Sequence, residues 1–302
     1  MTLPDRPGAT TGTPAIRPTW RRRILDSTAG NWIAALLFVG VPFIAVNIAT
    51  KLLMPEAELR DIRNLMKAVM LIAAYWAYVR WWERRPVREF SLAGALPESL
   101  AGLLVGGLLF SGVVAVLAAF GVYSLERVGS MGDLGAAVVS MLPKIVAGAL
   151  IEELIFRLLA LRLLERSFGT VWALAISSML FGLAHLGNIG ASPLIGIMLG
   201  VELGLLLGAT YVLTRRIWLC TTTHLAWNFV QGVVFSIAVS GQTGDGWLRG
   251  SLTGPDWLTG GAFGAEGSAV SFVLCLIATA ALLTLAHRRG RFANRTSPGG
   301  HL

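Results

Sequence analysis

The chain is poor in charged residues: Asp, Glu, Lys and Arg make up only 14% of its 302 residues. Soluble domains usually contain about 25% of these residues. The deficit argues against a soluble globular protein, and 55% of the residues are hydrophobic, with a mean hydropathy of +0.67. Several apolar runs are about 20 residues long, the length that a helix needs to cross a bilayer. The composition therefore predicts a membrane protein.

Cysteine is scarce as well. Cys220 and Cys275 lie far apart, in or beside apolar runs, and show neither metal-ligand spacing nor a disulfide framework. The zinc-helix motif H-E-x-x-H is also missing. The net charge of +8 does not predict a nucleic-acid partner, because the basic residues lie at the ends of apolar runs and form no single patch.

Eight apolar segments predict an all-α fold, a polytopic bundle of about eight transmembrane helices, because an isolated segment in lipid must satisfy its own backbone hydrogen bonds. The bundle is expected to span residues 29–288. A disordered basic tail, 1–28, precedes it, and a second tail, 289–302, follows. The apolar segments are 31–50, 65–82, 100–121, 135–160, 170–186, 193–214, 217–239 and 269–287.

The basic residues predict the orientation of the bundle. With a cytoplasmic amino terminus, 17 Lys and Arg residues fall in inner segments and 6 in outer segments, while Lys144 and Arg157 lie inside helices. Because cytoplasmic loops are enriched in Lys and Arg, this asymmetry places both termini in the cytoplasm and the Gly-rich loop at about 240–268 outside. Pro143 is expected to start or kink the fourth helix, which puts Lys144 near the outer interface.

Ionisable residues lie in the middle of the fourth apolar segment. Residues 152–157 read EELIFR and contain Glu152, Glu153 and Arg157. A charged side chain at mid-helix costs about 2.5–3.5 kcal/mol on insertion scales, so three together suggest a function. Glu153 and Arg157 are four residues apart and are expected to form a structural ion pair. Glu152 is turned about 100° away from that pair, which makes it the better candidate for a general base.

Two further polar motifs occur on later segments. His185 ends the motif Phe181-Gly182-Leu183-Ala184-His185, and His224 and Asn228 lie one helical turn apart. Each motif alone is typical of hydrogen bonding between membrane helices. Together with a carboxylate they have the parts needed to hydrolyse an amide: Glu152 and His185 to activate water, His224 and Asn228 to stabilise the oxyanion.

Two other chemistries stay open for the same region. Glu152, His185 and His224 could hold a divalent metal ion through one oxygen and two nitrogens, with a position left for water. The hydroxyls of Ser177, Ser178 and Thr221–Thr223 could support a nucleophile, although no pattern favours a serine mechanism.

In this order, E-E-x-x-x-R, F-x-x-x-H and H-x-x-x-N on successive membrane helices resemble the CPBP family of intramembrane proteases. That family includes type II CAAX prenyl endopeptidases and Abi-type and lysostaphin-resistance-like proteins. The resemblance covers about residues 145–235 and implies a protease core at about 135–240. Leu158 departs from relatives that often carry glycine after the arginine. The implied catalytic residues are Glu152, His185, His224 and Asn228, supported by Glu153, Arg157 and Phe181.

The resemblance also implies a cavity that opens towards the cytoplasm and a membrane-associated or lipidated protein or peptide as substrate. Relatives are commonly called metalloproteases, which makes Zn²⁺ or another divalent metal an open alternative. The expected surroundings are membrane lipids in a multi-pass protein of a bacterial plasma membrane. Two other functions compete with proteolysis: a non-catalytic immunity or scaffold protein, and a proton-coupled transporter, since buried carboxylates and histidines also serve proton relays.

Overall fold

A computed structural model describes residues 27–56, 59–244 and 246–294, and these residues are mostly helical, as the sequence predicts. Nearly all of the predicted tail 1–28, and residues 295–302 of the second tail, lie outside the described residues. The helices are α1 (Thr28–Leu53), α2 (Arg60–Ala77), α3 (Ala95–Ala119), α4 (Met131–Glu153), α5 (Arg162–Ala184), α6 (Pro193–Thr214), α7 (Ile217–Phe229), α8 (Asp256–Thr259) and α9 (Ala269–Arg288).

Wider π-type turns continue some of these helices beyond their ends or join one helix to the next. The turn Tyr78–Trp82 follows α2, Leu154–Leu161 joins α4 to α5, and Val230–Val234 follows α7. Such turns insert one extra residue into the helical ladder and are frequent at functional sites. The turn between α4 and α5 begins directly after Glu153, at the centre of the polar motif.

Five stretches of the described residues are long and apolar enough to cross a membrane: α1, α3, Met131–Ala184, α6 and α9. The longest stretch, Met131–Ala184, is broken at Gly169, whose φ of 78° and ψ of 169° leave the helical region. Because residues with a side chain rarely adopt a positive φ, glycine suits the break. The break separates two of the predicted apolar segments, 135–160 and 170–186.

Two predicted apolar segments, 65–82 and 217–239, are not among these five stretches. Both are rich in polar residues. Helix α2 carries Arg60, Asp61, Arg63 and Lys67 in its first half, and α7 carries the polar motif around His224. Their charges and hydroxyls lower the apolar average, although both segments are helical. The predicted count of eight spans is therefore not confirmed, and the cytoplasmic location of the termini remains a prediction.

Three arginines meet one buried glutamate at one end of the bundle. Glu83, after α2, lies 2.7 Å from Arg162 Nη1, 2.9 Å from Arg166 Nη1 and 2.8 Å from Arg85 Nε. Burial alone would raise the pKa of the Glu83 carboxyl, but the three arginines outweigh burial and hold that pKa below its usual value. The cluster joins the end of α2 to the start of α5.

Arg215, at the end of α6, belongs to the same end of the molecule. It pairs with the buried Glu165 of α5 and donates to the backbone carbonyl of Arg291, beyond α9. Basic residues from segments far apart in sequence thus gather at one end of the bundle. We call this end, defined by Arg85, Arg162, Arg166 and Arg215, the arginine end.

A small antiparallel sheet marks the opposite end of the bundle, and the all-α prediction did not include it. Strand β1 (Tyr123–Val128) follows α3 and pairs with β2 (Leu248–Leu252) from the long loop before α9. Trp247 Nε1 also donates to the Gly129 carbonyl oxygen at 2.7 Å, just before α4 begins. We call this end the sheet end.

Helix α4 begins at the sheet end and not at Pro143. Ser130 caps it: the Ser130 hydroxyl accepts the Asp133 N–H at 3.1 Å, and the Asp133 carboxylate accepts the Ser130 N–H at 2.7 Å. This reciprocal pair satisfies two backbone donors at the first turn. Pro143 lies inside the helix, so the alternative that proline starts this helix is wrong.

Helices α3 and α7 approach closely at two glycines spaced by four residues. A Cβ added to Gly106 would lie 2.1 Å from the Thr223 carbonyl oxygen, and one added to Gly102 would lie 2.0 Å from the Thr222 hydroxyl oxygen. Small residues at this spacing let the backbones of membrane helices touch. The contact fixes α7, which carries His224 and Asn228, against the rest of the bundle.

Gly106→Val is therefore expected to destabilise the protein by about 1–3 kcal/mol, because the side chain would force the two helix backbones apart. The midpoint of thermal unfolding in a single detergent measures this loss. Gly107→Val is the matched control, since a Cβ there meets only Val230 at 3.7 Å, an ordinary contact. Equal midpoints for the two variants would show that the α3–α7 contact does not require the absence of a side chain at Gly106.

Candidate active site

Three helices bring Glu152, His185 and His224 together. Glu152 lies near the end of α4, His185 follows α5, and His224 lies in α7. Glu152 Oε2 is 3.8 Å from His185 Nε2 and 3.8 Å from His224 Nε2. These separations are too long for direct hydrogen bonds and suit one water molecule between the groups. Both imidazoles thus face the same carboxylate oxygen.

The ring of His185 is held by its own helix. His185 Nδ1 lies 2.8 Å from the Phe181 carbonyl oxygen, one turn earlier. A carbonyl oxygen can only accept a hydrogen bond, so Nδ1 carries the proton. In the neutral ring Nε2 is then bare and directed towards Glu152, where it can accept a proton from water.

The ring of His224 is held from behind by Glu153. His224 Nδ1 donates to Glu153 Oε1 at 2.9 Å, and both side chains are almost fully buried. The other Glu153 oxygen, Oε2, lies 3.1 Å from Arg157 Nε, so the predicted ion pair between these neighbours is present. Glu153 therefore does more than neutralise Arg157: it fixes the orientation of the imidazole and leaves Nε2 facing Glu152.

Arg157 and Phe181 complete the support beneath these groups. The Arg157 guanidinium carbon lies 4.7 Å from the centre of the Phe181 ring, and Nη2 donates to the Gly204 carbonyl oxygen at 3.1 Å. The Phe181 ring lies 4.7 Å from the His185 ring and 6.1 Å from the His224 ring. A buried cation over an aromatic face is stabilised electrostatically. Phe181 thus packs against both imidazoles and against the arginine.

A cavity of about 480 Å³ opens in front of Glu152. His185, His224 and Asn228 line it, so all four predicted catalytic side chains border one space. The remaining lining is rich in uncharged polar groups and carries one lysine. These other residues include Ser140, Lys144, Asn188, Ser240, Gln242 and Thr243.

The three convergent side chains are spaced slightly wider than the ligands of a tetrahedral zinc ion. A tetrahedral zinc ion with ligands at about 2.0–2.2 Å holds its ligand atoms about 3.3–3.6 Å apart. Glu152 Oε2 is 3.8 Å from each imidazole Nε2. Within residues 27–56, 59–244 and 246–294, no group of three or more His, Cys, Asp and Glu side chains has an arrangement that could hold a metal ion.

The hydroxyls weighed for a serine mechanism lie away from this cavity. Ser177 and Ser178 are buried in α5, and the Ser177 hydroxyl donates to the Leu174 carbonyl oxygen at 3.3 Å. Thr222 and Thr223 donate back to carbonyl oxygens of α7 at 2.7 and 2.8 Å. None of these four hydroxyls borders the cavity, and neither does that of Thr221.

Sequence reasoning missed the part of the site that comes from the long loop before α9. Ser240 borders the cavity, and its N–H donates to the carboxylate of Glu266, which is 1% exposed. Gly241 donates to the Phe263 carbonyl oxygen at 2.8 Å, which ties the cavity rim to the rest of the loop. The loop has no periodic pattern, and a single Glu among glycines gives no signal for this contact.

Neither a curated protein nor a solved structure matches the chain. A family model does match, over about a third of the chain. The matched segment runs from α4 to the turn after α7 and contains every predicted site residue. Residues 134–230 match the family described as Type II CAAX prenyl endopeptidase Rce1-like, which confirms the resemblance to CPBP intramembrane proteases.

Proposed function

We propose that this protein is an intramembrane endopeptidase that hydrolyses a peptide bond of a membrane-associated or lipidated protein or peptide. The observation that carries the proposal is the position of Glu152 Oε2, 3.8 Å from two imidazole nitrogens on two other helices. The match to a CAAX-type protease family supports the same activity. A carboxylate flanked by two fixed imidazoles at the floor of a polar cavity is suited to activating water.

The first step is the removal of a proton from water. A water molecule between Glu152 Oε2 and His185 Nε2 would be polarised by both acceptors. As Glu152 takes the proton, the water oxygen forms a bond to the carbonyl carbon of the scissile peptide. The carbonyl π bond opens, and its electron pair moves to the carbonyl oxygen.

The second step is the collapse of the tetrahedral intermediate. His224 Nε2, once protonated, and the Asn228 amide can donate hydrogen bonds to the oxyanion. The charge of such an imidazolium would be balanced by Glu153 and by the oxyanion itself, because Glu152 is protonated at this stage. When the carbon–nitrogen bond breaks, the protonated Glu152 returns its proton to the leaving amine. The electron pair of the oxyanion re-forms the carbonyl double bond, and Glu152 is regenerated as a carboxylate. The new carboxylic acid loses its hydroxyl proton to solvent, so the products are a new carboxylate and a new amino terminus.

The partners that the proposal implies are membrane lipids and a protein or peptide substrate, with no nucleic acid. The predicted location is a bacterial plasma membrane, with both termini in the cytoplasm. The gathering of basic residues at the arginine end supports this orientation, because four of the predicted inner segments contribute to it.

Asn228→Asp tests the role of the amide. It keeps the shape of the side chain and replaces its NH₂ donor by a carboxyl oxygen, so kcat is expected to fall about 10²–10³-fold with little change in KM. Steady-state cleavage by purified protein in proteoliposomes measures both constants. Asn47→Asp on α1, which does not border the cavity, is the matched control. A higher KM with unchanged kcat would assign Asn228 to substrate binding and not to the oxyanion.

Chelation tests the metal alternative. Since the two steps above use only side chains, pretreatment with a strong chelator followed by its removal is expected to leave the cleavage rate within about twofold of the untreated rate. A loss of activity that Zn²⁺ restores would contradict this mechanism. Such a result would make Glu152, His185 and His224 metal ligands.

The competing functions give different results with the same variants. A scaffold or immunity protein would keep its biological activity in Glu152→Ala, His185→Ala and His224→Ala. A proton-coupled transporter would show proton-dependent flux in proteoliposomes, and Glu152→Ala would abolish that flux. The proposed protease loses substrate cleavage in all three variants while it remains inserted and folded.

A further inference from the structure

The cavity has a buried floor and an exposed rim at different depths of the bundle. His224, at the floor, is 3% exposed. On α4 the exposed rim residues Ser140 and Lys144 precede Glu152 by 12 and 8 residues, about 18 and 12 Å along a helix. Gln242 and Thr243 of the long loop form the other exposed side of the rim.

The rim lies on the side of Glu152 that faces the sheet end. Helix α4 begins at the sheet end, directly after Ser130, so residues that precede Glu152 on this helix lie nearer to that end. The long loop that supplies Gln242 and Thr243 also carries β2. The mouth of the cavity is therefore at the sheet end.

Towards the arginine end the floor is closed by packed side chains. The turns after Glu153 contribute Leu154, Leu158 and Leu161, which are all 0% exposed. Arg157, between them, is 1% exposed and pairs with Glu153. The site is thus separated from the arginine end by a filled core and is open at the opposite end.

The charge distribution assigns these two ends to opposite sides of the membrane. Inner segments carry 17 Lys and Arg residues and outer segments carry 6. The inner segments that the structure describes converge at the arginine end. Because the basic side of a membrane protein faces the cytoplasm, the sheet end faces outwards.

Resting on the proposed protease function, we propose that the cavity takes its substrate from the extracytoplasmic side of the membrane. The substrate class is then an exported peptide, or the outward-facing segment of a membrane protein, and not a cytoplasmic carboxyl terminus. This differs from the cytoplasmic opening that the family resemblance implies. The hydroxyl and amide groups of the rim suit the backbone of an extended polypeptide, which needs hydrogen-bond partners once it leaves water.

Single cysteines at the two ends test the orientation without any cleavage assay. The native Cys220 and Cys275 are both 0% exposed, so they give little background. Gln242→Cys places a thiol at the rim, and Arg289→Cys places one beyond α9 at the arginine end; both positions are exposed. A membrane-impermeant maleimide is added to intact cells or to inverted membrane vesicles, and labelling is measured by the mass shift.

The expected result is that Gln242→Cys is labelled in intact cells and Arg289→Cys only in inverted vesicles. The same reagent on intact cells is expected to block substrate processing in Gln242→Cys alone. Labelling of Gln242→Cys only in inverted vesicles, or only after detergent solubilisation, overturns the proposal. Failure of the protease function would be seen separately, as unchanged processing in the Glu152 variants, whatever the labelling pattern.

Discussion

Cells that carry Glu152→Gln are expected to accumulate an uncut membrane-associated precursor and to lose its cleavage product. Glutamine has nearly the shape of glutamate but cannot take the proton of the attacking water, so the cleavage rate should fall about 10²–10⁴-fold. The comparison of membrane proteomes and peptides from wild-type and variant cells measures the effect and identifies the substrate. This substitution is expected to have the largest effect on activity.

The control for this comparison is Glu126→Gln, a substitution of the same type at an exposed position of β1. It removes a carboxylate from the same protein and leaves the cavity unchanged. Processing should then be normal. Wild-type levels of the cleavage product in the Glu152→Gln cells would remove Glu152 as the base.

The largest effect on stability is expected from Glu153→Leu. This change leaves Arg157, which is 1% exposed, without its carboxylate partner, and it removes the acceptor of His224 Nδ1. Loss of one partner from a buried ion pair typically costs about 3–5 kcal/mol, because the other charge stays buried and unpaired. The midpoint of thermal unfolding should fall accordingly, and cleavage should be lost with it.

The double variant Glu153→Leu/Arg157→Met separates stability from chemistry. Replacing both charged groups by apolar ones removes the unpaired charge, so most of the lost stability should return. Cleavage should stay low, because His224 still lacks the carboxylate that orients its ring. A double variant that regains stability and full cleavage would show that Glu153 acts only as a partner of Arg157.

The residues of the site could be predicted from sequence because each motif is a short local pattern along continuous helical turns. Helical spacing alone places Glu153 and Arg157 on one face, and the observed distance of 3.1 Å agrees with it. The contact between Glu153 and His224 joins residues 71 positions apart. No local pattern encodes such a contact. That these helices meet was suggested only by the complementary chemistry of their motifs and by the resemblance to a protease family.

The helices were predictable because their hydropathy is strong. The exact start of α4 and the two strands were not, because they depend on a helix cap and on loops. Apolar runs located the helices, but they placed the start of α4 too late, because its first turn is set by the Ser130–Asp133 cap. The strands β1 and β2 are short, and their pairing depends on two loops that meet at one end of the bundle. Hydropathy carries no information about that encounter.

The central claim, that Glu152 and His185 act together on one water molecule, is tested most directly by a double-mutant cycle. The values of kcat/KM for Glu152→Gln, His185→Ala and the double variant are measured with the identified precursor in proteoliposomes. Residues that act as a unit show strongly non-additive losses, so the double variant should be no slower than the slower single variant. Losses that multiply in the double variant would mean that the two side chains act independently, and would contradict the claim.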